Sequence, residues 1–120
     1  MHNEFICLIV KLGLFFANCD GEYHPSEKSF IRRFLINLQT KELIDEDGTK
    51  LLKEYESKSF TLEQVTDDSL HFLKALPDEK REDFKSLLTF FIRGIIEVDH
   101  VIAPEEEKCF EYWEHHTIYN

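Results

Sequence analysis

The feature that most constrains this fold is an apolar run near the amino end of the sequence. Between Phe5 and Phe16 only Lys11 is charged, and large hydrocarbon or aromatic side chains occupy nearly all of the remaining positions. A helix at a surface keeps one wet face, so this run predicts a helix buried at the centre of a bundle. The run is too short to span a bilayer, and residues 1–4 lack the Lys or Arg of a secretion signal, so we expect no membrane insertion.

Other segments carry the same helical signal on one face. Apolar side chains recur every three or four positions from Phe84 to Ile96, and again from Phe30 to Leu38. Thr61 and Gln64 have the spacing of a capping box, in which each side chain satisfies a backbone N–H at a helix start. The sequence therefore predicts an all-α bundle of about six helices. The two long helices lie near 4–18 and 78–98 and cross at the centre. Of the shorter ones, three start near Pro25, Thr61 and Pro104, and another contains Leu51, Leu52 and Tyr55.

Length and charge narrow the function classes. The 120 residues fit one domain, residues 1–120, with one core. A formal charge of −10 and no run of Lys and Arg oppose a phosphate backbone, so we expect no nucleic-acid partner. Three cysteines, an odd number without CxxC spacing, fit a reducing compartment better than a disulfide framework, and we expect a cytoplasmic protein.

Two turns of the sequence read as copies of one element. Residues 20–27 and 99–106 share Asp, Pro and Glu at the same positions: Asp20 matches Asp99, and Glu27 matches Glu106. In both cases a strongly apolar helix precedes the turn and an amphipathic helix follows it. The sequence thus predicts an internal repeat of two helix-loop-helix halves related by a pseudo-twofold axis.

These residues resemble the TerB-like family, the helical domains related to the bacterial tellurite-resistance protein TerB and to the N-terminal region of DjlA-type J-proteins. The segment from Ala17 to Glu22, followed by Pro25, Ser26 and Glu27, is similar to that family's Asp-Gly element. The segment 97–106 is similar to its second copy, with His100 where Gly is expected. The resemblance implies an acidic all-α bundle connected with stress or tellurite resistance, in which acidic residues hold a metal ion.

The candidate metal ligands are Asp20, Glu27, Asp99 and Glu106. Four carboxylates brought together by a pseudo-twofold would suit a hard divalent cation such as Ca²⁺, Mg²⁺ or Mn²⁺. The competing interpretation is local, and stronger on the sequence alone. With Pro at the first helical position, each Glu is the third residue of its helix. There the helix dipole stabilises its carboxylate, which can also cap the helix start.

Three further patterns are weaker. Asp45, Glu46 and Asp47 suggest a calcium loop, but Lys50 stands where an EF-hand requires Gly, so a helix start is the better interpretation. Cys109, His115 and His116 lie close in sequence without a zinc-binding spacing. Aromatic residues cluster near the carboxyl end, where Phe110 and Trp113 share one helix face that is expected to pack unless it proves exposed.

No catalytic motif is present, and we expect no catalytic residues. The leading hypothesis is a non-catalytic TerB-like domain that acts by contact with an unknown protein partner, with divalent-cation binding at its paired turns as an additional hypothesis. The alternatives are an adaptor domain without metal and a small metal-dependent hydrolase. A homodimer is compatible with all three.

Overall fold

The structure, a computed structural model, describes residues 2–19, 25–41, 48–98 and 104–118. These residues form six helices, and no strand occurs among them, which confirms the predicted all-α bundle of about six helices. In chain order the helices are α1 (His2–Asn18), α2 (Pro25–Thr40), α3 (Gly48–Tyr55), α4 (Leu62–Ala75), α5 (Asp78–Glu97) and α6 (Pro104–Thr117).

Helix α1 is the centre of the bundle, as its composition predicts. It packs against α2, α3, α4 and α5, and its side chains from Phe5 to Ala17 are buried apart from three half-buried ones. Gly13 allows this close packing, because a Cβ atom there would lie 3.1 Å from both Ile31 Cδ1 and Phe91 Cζ. A helix that is surrounded by four others needs apolar side chains on nearly every face, which explains the run in which only Lys11 is charged.

Ring contacts and one ion pair fix the directions of the helices around α1. Phe5 meets Phe84 at a centroid distance of 5.2 Å, and Gly13 lies beside Phe91, so α1 and α5 run in the same direction. Phe5 also stacks on Phe72 of α4 at 5.6 Å, while Lys11 Nζ lies 3.2 Å from Asp68 Oδ2, so α4 runs the opposite way. The carboxyl ends of α1 and α5 therefore lie at the same end of the bundle.

The amphipathic helices bury the predicted stripes. In α5 the buried residues are Leu88, Phe91, Ile92, Ile95 and Ile96, and in α2 the apolar ones are Ile31, Leu35 and Leu38. The predicted capping box of α4 is also present, with Gln64 N–H donating to Thr61 Oγ1 at 3.1 Å and Thr61 N–H donating to Gln64 Oε1 at 2.9 Å. Local rules thus account for where these helices begin and which faces they bury.

The structure describes only part of the predicted internal repeat. Its two turns, residues 20–24 and 99–103, lie outside the described residues, and so do Asp20 and Asp99. The helices on either side of both turns are described, and α2 and α6 both begin at the predicted proline. The duplication and its pseudo-twofold axis stay predictions.

Candidate functional site

The candidate site lies where α1 and α5 end and α2 and α6 begin. We call this region the polar end and define it by Cys19, Glu27, Glu105, Glu106 and Cys109. The Cys19 Sγ lies 3.4 Å from the Glu105 carbonyl oxygen, so the chain leaving α1 touches the first turn of α6. Polar and ionisable groups from distant parts of the sequence are therefore assembled at one end of the bundle.

Both glutamates of the predicted ligand set are buried. Glu27 is 2% exposed and Glu106 is 3% exposed, and each is the third residue of its helix. Acidic side chains are seldom fully buried, because a carboxylate loses strong hydration when it leaves water. Here both carboxylates sit at helix N-termini, where the helix dipole favours negative charge, and both have interaction partners.

The first turns of α2 and α6 both pack against the same part of helix α5, near Arg93 and Gly94. Phe30, one turn after Glu27, packs against Gly94 so closely that a methyl group on Gly94 would overlap its ring. Arg93 Nη1 lies 3.2 Å from Glu107 Oε2, next to Glu106, and its guanidinium lies over the Phe110 ring at 5.1 Å. Because Arg93 and Gly94 are neighbours, the two buried glutamates belong to first turns that flank one short stretch of α5.

The complete four-carboxylate set is not tested by this geometry. Among residues 2–19, 25–41, 48–98 and 104–118, no group of three or more His, Cys, Asp or Glu side chains is arranged to hold a metal ion. Asp20 and Asp99 belong to the turns outside those ranges. The cation site therefore stays a prediction, with Glu27 and Glu106 as its described half.

The weaker metal patterns gain no support from the described residues. Cys109 lies against Cys19 rather than turning toward the histidines, while His116 Nδ1 lies 2.8 Å from the Tyr112 carbonyl oxygen and its ring stacks on Tyr112 at 4.0 Å. Asp45, Glu46 and Asp47 lie outside the described residues. Lys50, which stands at the EF-hand glycine position, is within helix α3, as the helix-start interpretation requires.

Sequence reasoning missed the contact between Cys19 and Cys109. Their sulfur atoms are 2.8 Å apart although the residues are separated by 90 positions, and the two are not joined in a disulfide. Both side chains are half-buried and line a groove of about 520 Å³ together with Asn18, Lys58 and Phe60. No local spacing signals this pair, because it depends on how α6 packs against the end of α1.

Two other grooves occur among the described residues. One, of about 280 Å³, runs between α1 and α4 and is lined by Cys7, Lys11, Asp68 and His71 among others. The Cys7 thiol group beside Tyr55 raises the pKa of the Tyr55 hydroxyl above its ordinary value, chiefly by electrostatic repulsion. Nothing in this groove combines a nucleophile with an oriented base, so it defines no reaction.

The third groove concentrates positive charge in an acidic chain. It lies between α2 and α3, has a volume of about 770 Å³ and is lined by Lys28, Arg32, Lys50 and Lys53. Lys28 Nζ pairs with Glu56 Oε2 at 3.1 Å. The sequence contains no run of these residues, so the concentration arises only from the packing of α2 on α3. The segment 42–47, which precedes α3, is rich in Asp and Glu, and we assign the groove no anion.

The aromatic residues near the carboxyl end are packing residues. Phe110 is 6% exposed and Trp113 is fully buried, with the Trp113 indole N–H donating to Ser69 Oγ at 3.0 Å. Ser69 in turn donates to the Val65 carbonyl oxygen at 2.7 Å. This face of α6 is closed against α4 and presents no surface to a partner, in agreement with the packing interpretation. Tyr119 lies outside the described residues.

Within the part of the chain that the structure describes, none of the helices combines the length and hydropathy that crossing a bilayer requires. In comparisons with known proteins, no protein family, curated protein or solved structure matches this chain.

Proposed function

We propose that this chain is a TerB-like, cytoplasmic, non-catalytic domain connected with stress or tellurite resistance, and that it acts by protein contact and binds a divalent cation at its polar end. The cation part rests on one observation, the burial of Glu27 and Glu106 at matching positions of α2 and α6. The family and its biology rest on the sequence around Asp20 and Asp99.

The free-energy cost of burying two carboxylates supports a cation. A helix N-terminus returns at most about 2 kcal/mol for a partly buried charge, and each carboxylate also has an interaction partner, whereas the effective cost of desolvating one ion is several kcal/mol. Like charges repel, and these two carboxylates belong to helix starts that flank the same stretch of α5 in a chain whose formal charge is −10. A divalent cation would relieve both the desolvation and the repulsion, and Ca²⁺, Mg²⁺ and Mn²⁺ prefer oxygen ligands.

The chain immediately before each of the two turns adds to this support. Asp20 follows Cys19 directly, and Cys19 contacts the first turn of α6. Asp99 follows the carboxyl end of α5, which lies at the same end of the bundle as that of α1. The described residues before the two turns, Cys19 and Val98, thus lie at the polar end, and an aspartate follows each of them in the sequence.

Thermal unfolding in the presence of divalent cations tests the proposal. A ligand that binds only the folded chain stabilises it by about 2.7 kcal/mol at one hundred times its Kd, so Mn²⁺, Mg²⁺ or Ca²⁺ should raise the Tm by about 10 °C relative to EDTA. Glu27→Gln and Glu106→Gln should each abolish most of that rise. Glu105→Gln, an exposed neighbour in the same helical turn, should keep it.

Two outcomes would overturn the cation part of the proposal. One is a Tm that does not change with any of the three cations at millimolar concentration. The other is an equal rise in wild type and in the double variant Glu27→Gln/Glu106→Gln, because the ion would then bind elsewhere. Either result favours the adaptor without metal, in which local helix capping alone holds the two carboxylates.

One surface observation favours the adaptor alternative. Phe90 is 66% exposed on α5 and Ile36 is 50% exposed on α2, and they are the large apolar side chains most open to solvent among the described residues. Aromatic side chains at a surface are frequent anchors of protein contacts. The hydrolase alternative has no comparable observation, and hydrolysis of p-nitrophenyl phosphate or acetate by the Mn²⁺-treated protein would be needed to revive it.

A further inference from the structure

We propose that Cys19 and Cys109 form a reversible dithiol–disulfide site that a hydroperoxide oxidises. The inference rests on the contact between the two sulfur atoms and is independent of the proposed cation. It assigns to the polar end a covalent link between the end of α1 and the middle of α6.

The geometry places the two sulfurs close to bonding distance. The Cys19 and Cys109 sulfur atoms lie 2.8 Å apart, and a disulfide bond is about 2.05 Å long. The sulfurs must therefore approach by only about 0.8 Å. Cys19 can supply that movement, because it lies in the turn after α1, where its N–H makes a long bond of 3.4 Å to the Phe16 carbonyl oxygen.

The surroundings make the pair accessible to a small oxidant. Both sulfur-bearing side chains are half-buried, and both line the groove of about 520 Å³ that Ser57, Lys58 and Phe60 also border. A thiol must be reached by solvent to be oxidised, and a buried thiol is inert. The groove is wide enough for hydrogen peroxide or a small organic hydroperoxide to reach either sulfur.

Cys7 serves as an internal comparison. It is also half-buried and also lines a groove, the one between α1 and α4. It lies eleven residues before Asn18, the last residue of α1, which corresponds to about 16 Å along the helix axis, and Cys19 follows that helix end. Cys7 therefore cannot reach either member of the pair, so its oxidation would stop at sulfenic acid or proceed to higher acids.

The reaction balances with one hydroperoxide as the oxidant. The thiolate of one cysteine attacks the terminal peroxide oxygen, the O–O bond breaks, and an alcohol or water leaves while a sulfenic acid forms. The second thiolate attacks that sulfenic sulfur, the S–S bond forms, and the sulfenic hydroxyl leaves as water. The two thiols lose two electrons in total, and the peroxide gains them. A small dithiol reductant reverses the link by exchange through a mixed disulfide.

The link would change stability strongly because of its long span. A crosslink over 90 positions removes many conformations from the unfolded chain, and disulfides that close long loops are expected to stabilise most in the chain-entropy account. For a domain of this size the expected rise in Tm is about 10 °C. In the reducing compartment that the sequence predicts, a disulfide of this kind is transient and responds to oxidant.

The test uses the wild-type chain and needs no substitution to be decisive. The protein is treated with a small excess of hydrogen peroxide, the remaining thiols are alkylated, and peptides are mapped by mass spectrometry without reduction. We expect one crosslinked peptide pair that contains Cys19 and Cys109, an intact mass lower by two hydrogen atoms, and a Tm higher by about 10 °C that dithiothreitol restores.

Variants distinguish the pair from general oxidation. Cys7→Ser should retain the crosslink and the Tm rise, whereas Cys19→Ser and Cys109→Ser should each lose both. The proposal is overturned if Cys19 and Cys109 are recovered as separate sulfinic or sulfonic acids, if Cys7 takes part in the crosslink, or if oxidation yields only disulfide-linked dimers. Because mapping is done on wild type, a variant that fails to fold leaves the conclusion intact.

Discussion

The two ends of the helical bundle are built from different chemistry. At one end, which we call the closed end, the rings of Phe5, Phe72 and Phe84 meet one another at centroid distances of 5.2 to 5.6 Å, and Arg81 covers the end of α4. The polar end instead buries two carboxylates and brings two thiols together.

The closed end stabilises the fold by packing, whereas the polar end carries the groups that can react or bind a ligand. Apolar rings and capped carbonyl groups stabilise the closed end and need no other explanation. Buried carboxylates and adjacent thiols contribute little to stability by themselves, and such departures from good packing are expected where a protein has a function. Substitutions should therefore cost most at the closed end, while ligand and redox responses should come from the polar end.

The largest effect should come from removing a ring at the closed end. Phe72 is 4% exposed and contacts both other rings, so Phe72→Ala should lower the free energy of unfolding by about 3–5 kcal/mol, measured by urea denaturation. Phe90→Ala, which removes a ring that is 66% exposed, should change it by no more than about 0.5 kcal/mol. Similar losses for both variants would show that the closed end is not part of the core.

An intermediate effect is expected at Gly94, which fixes α2 against α5 near the polar end. Gly94→Ala places a methyl group on the Phe30 ring and should lower the free energy of unfolding by about 1–3 kcal/mol. With Phe30→Ala already present, the same change should become stabilising by up to about 1 kcal/mol, because Ala favours the helix over Gly. A double-mutant cycle measures this reversal, and an unchanged sign would mean that α2 does not press on Gly94.

The smallest effect concerns the guanidinium at the closed end. Arg81 Nε donates to the Leu73 carbonyl oxygen at 2.9 Å, and Nη2 donates to the Leu76 carbonyl oxygen at 2.8 Å. Arg81→Met should cost about 1 kcal/mol in the free energy of unfolding, since the side chain is 30% exposed and water can replace part of both bonds. Asp78→Asn removes only the exposed ion pair and should cost less than about 0.5 kcal/mol. Equal costs would place the stabilisation in the ion pair.

The sequence predicted the helices because their signals are local. The run from Phe5 to Phe16, the stripe from Phe84 to Ile96 and the pair Thr61 and Gln64 each report on neighbours within one or two turns. The structure confirms all three, with α1 at the centre and the capping box in place. Glu27 and Glu106 lie at the predicted third position of α2 and of α6, although the repeat itself stays a prediction.

Contacts between distant segments could not be predicted in this way. Nothing near Cys19 indicates that Cys109 is its neighbour, and nothing near Trp113 indicates that its indole N–H donates to Ser69. The basic groove between α2 and α3 likewise combines residues that are scattered in the sequence. These features depend on the packing of helices that lie far apart along the chain, and a single sequence carries no signal for them.

The most direct test of the central claim, that the polar end holds one divalent cation between the two buried glutamates, is anomalous diffraction from crystals grown with Mn²⁺. The account predicts a single strong anomalous peak in direct contact with carboxylate oxygens of both Glu27 and Glu106. Anomalous peaks found only beside exposed carboxylates such as Glu105, with each buried glutamate bonded solely to its own helix start, would contradict it.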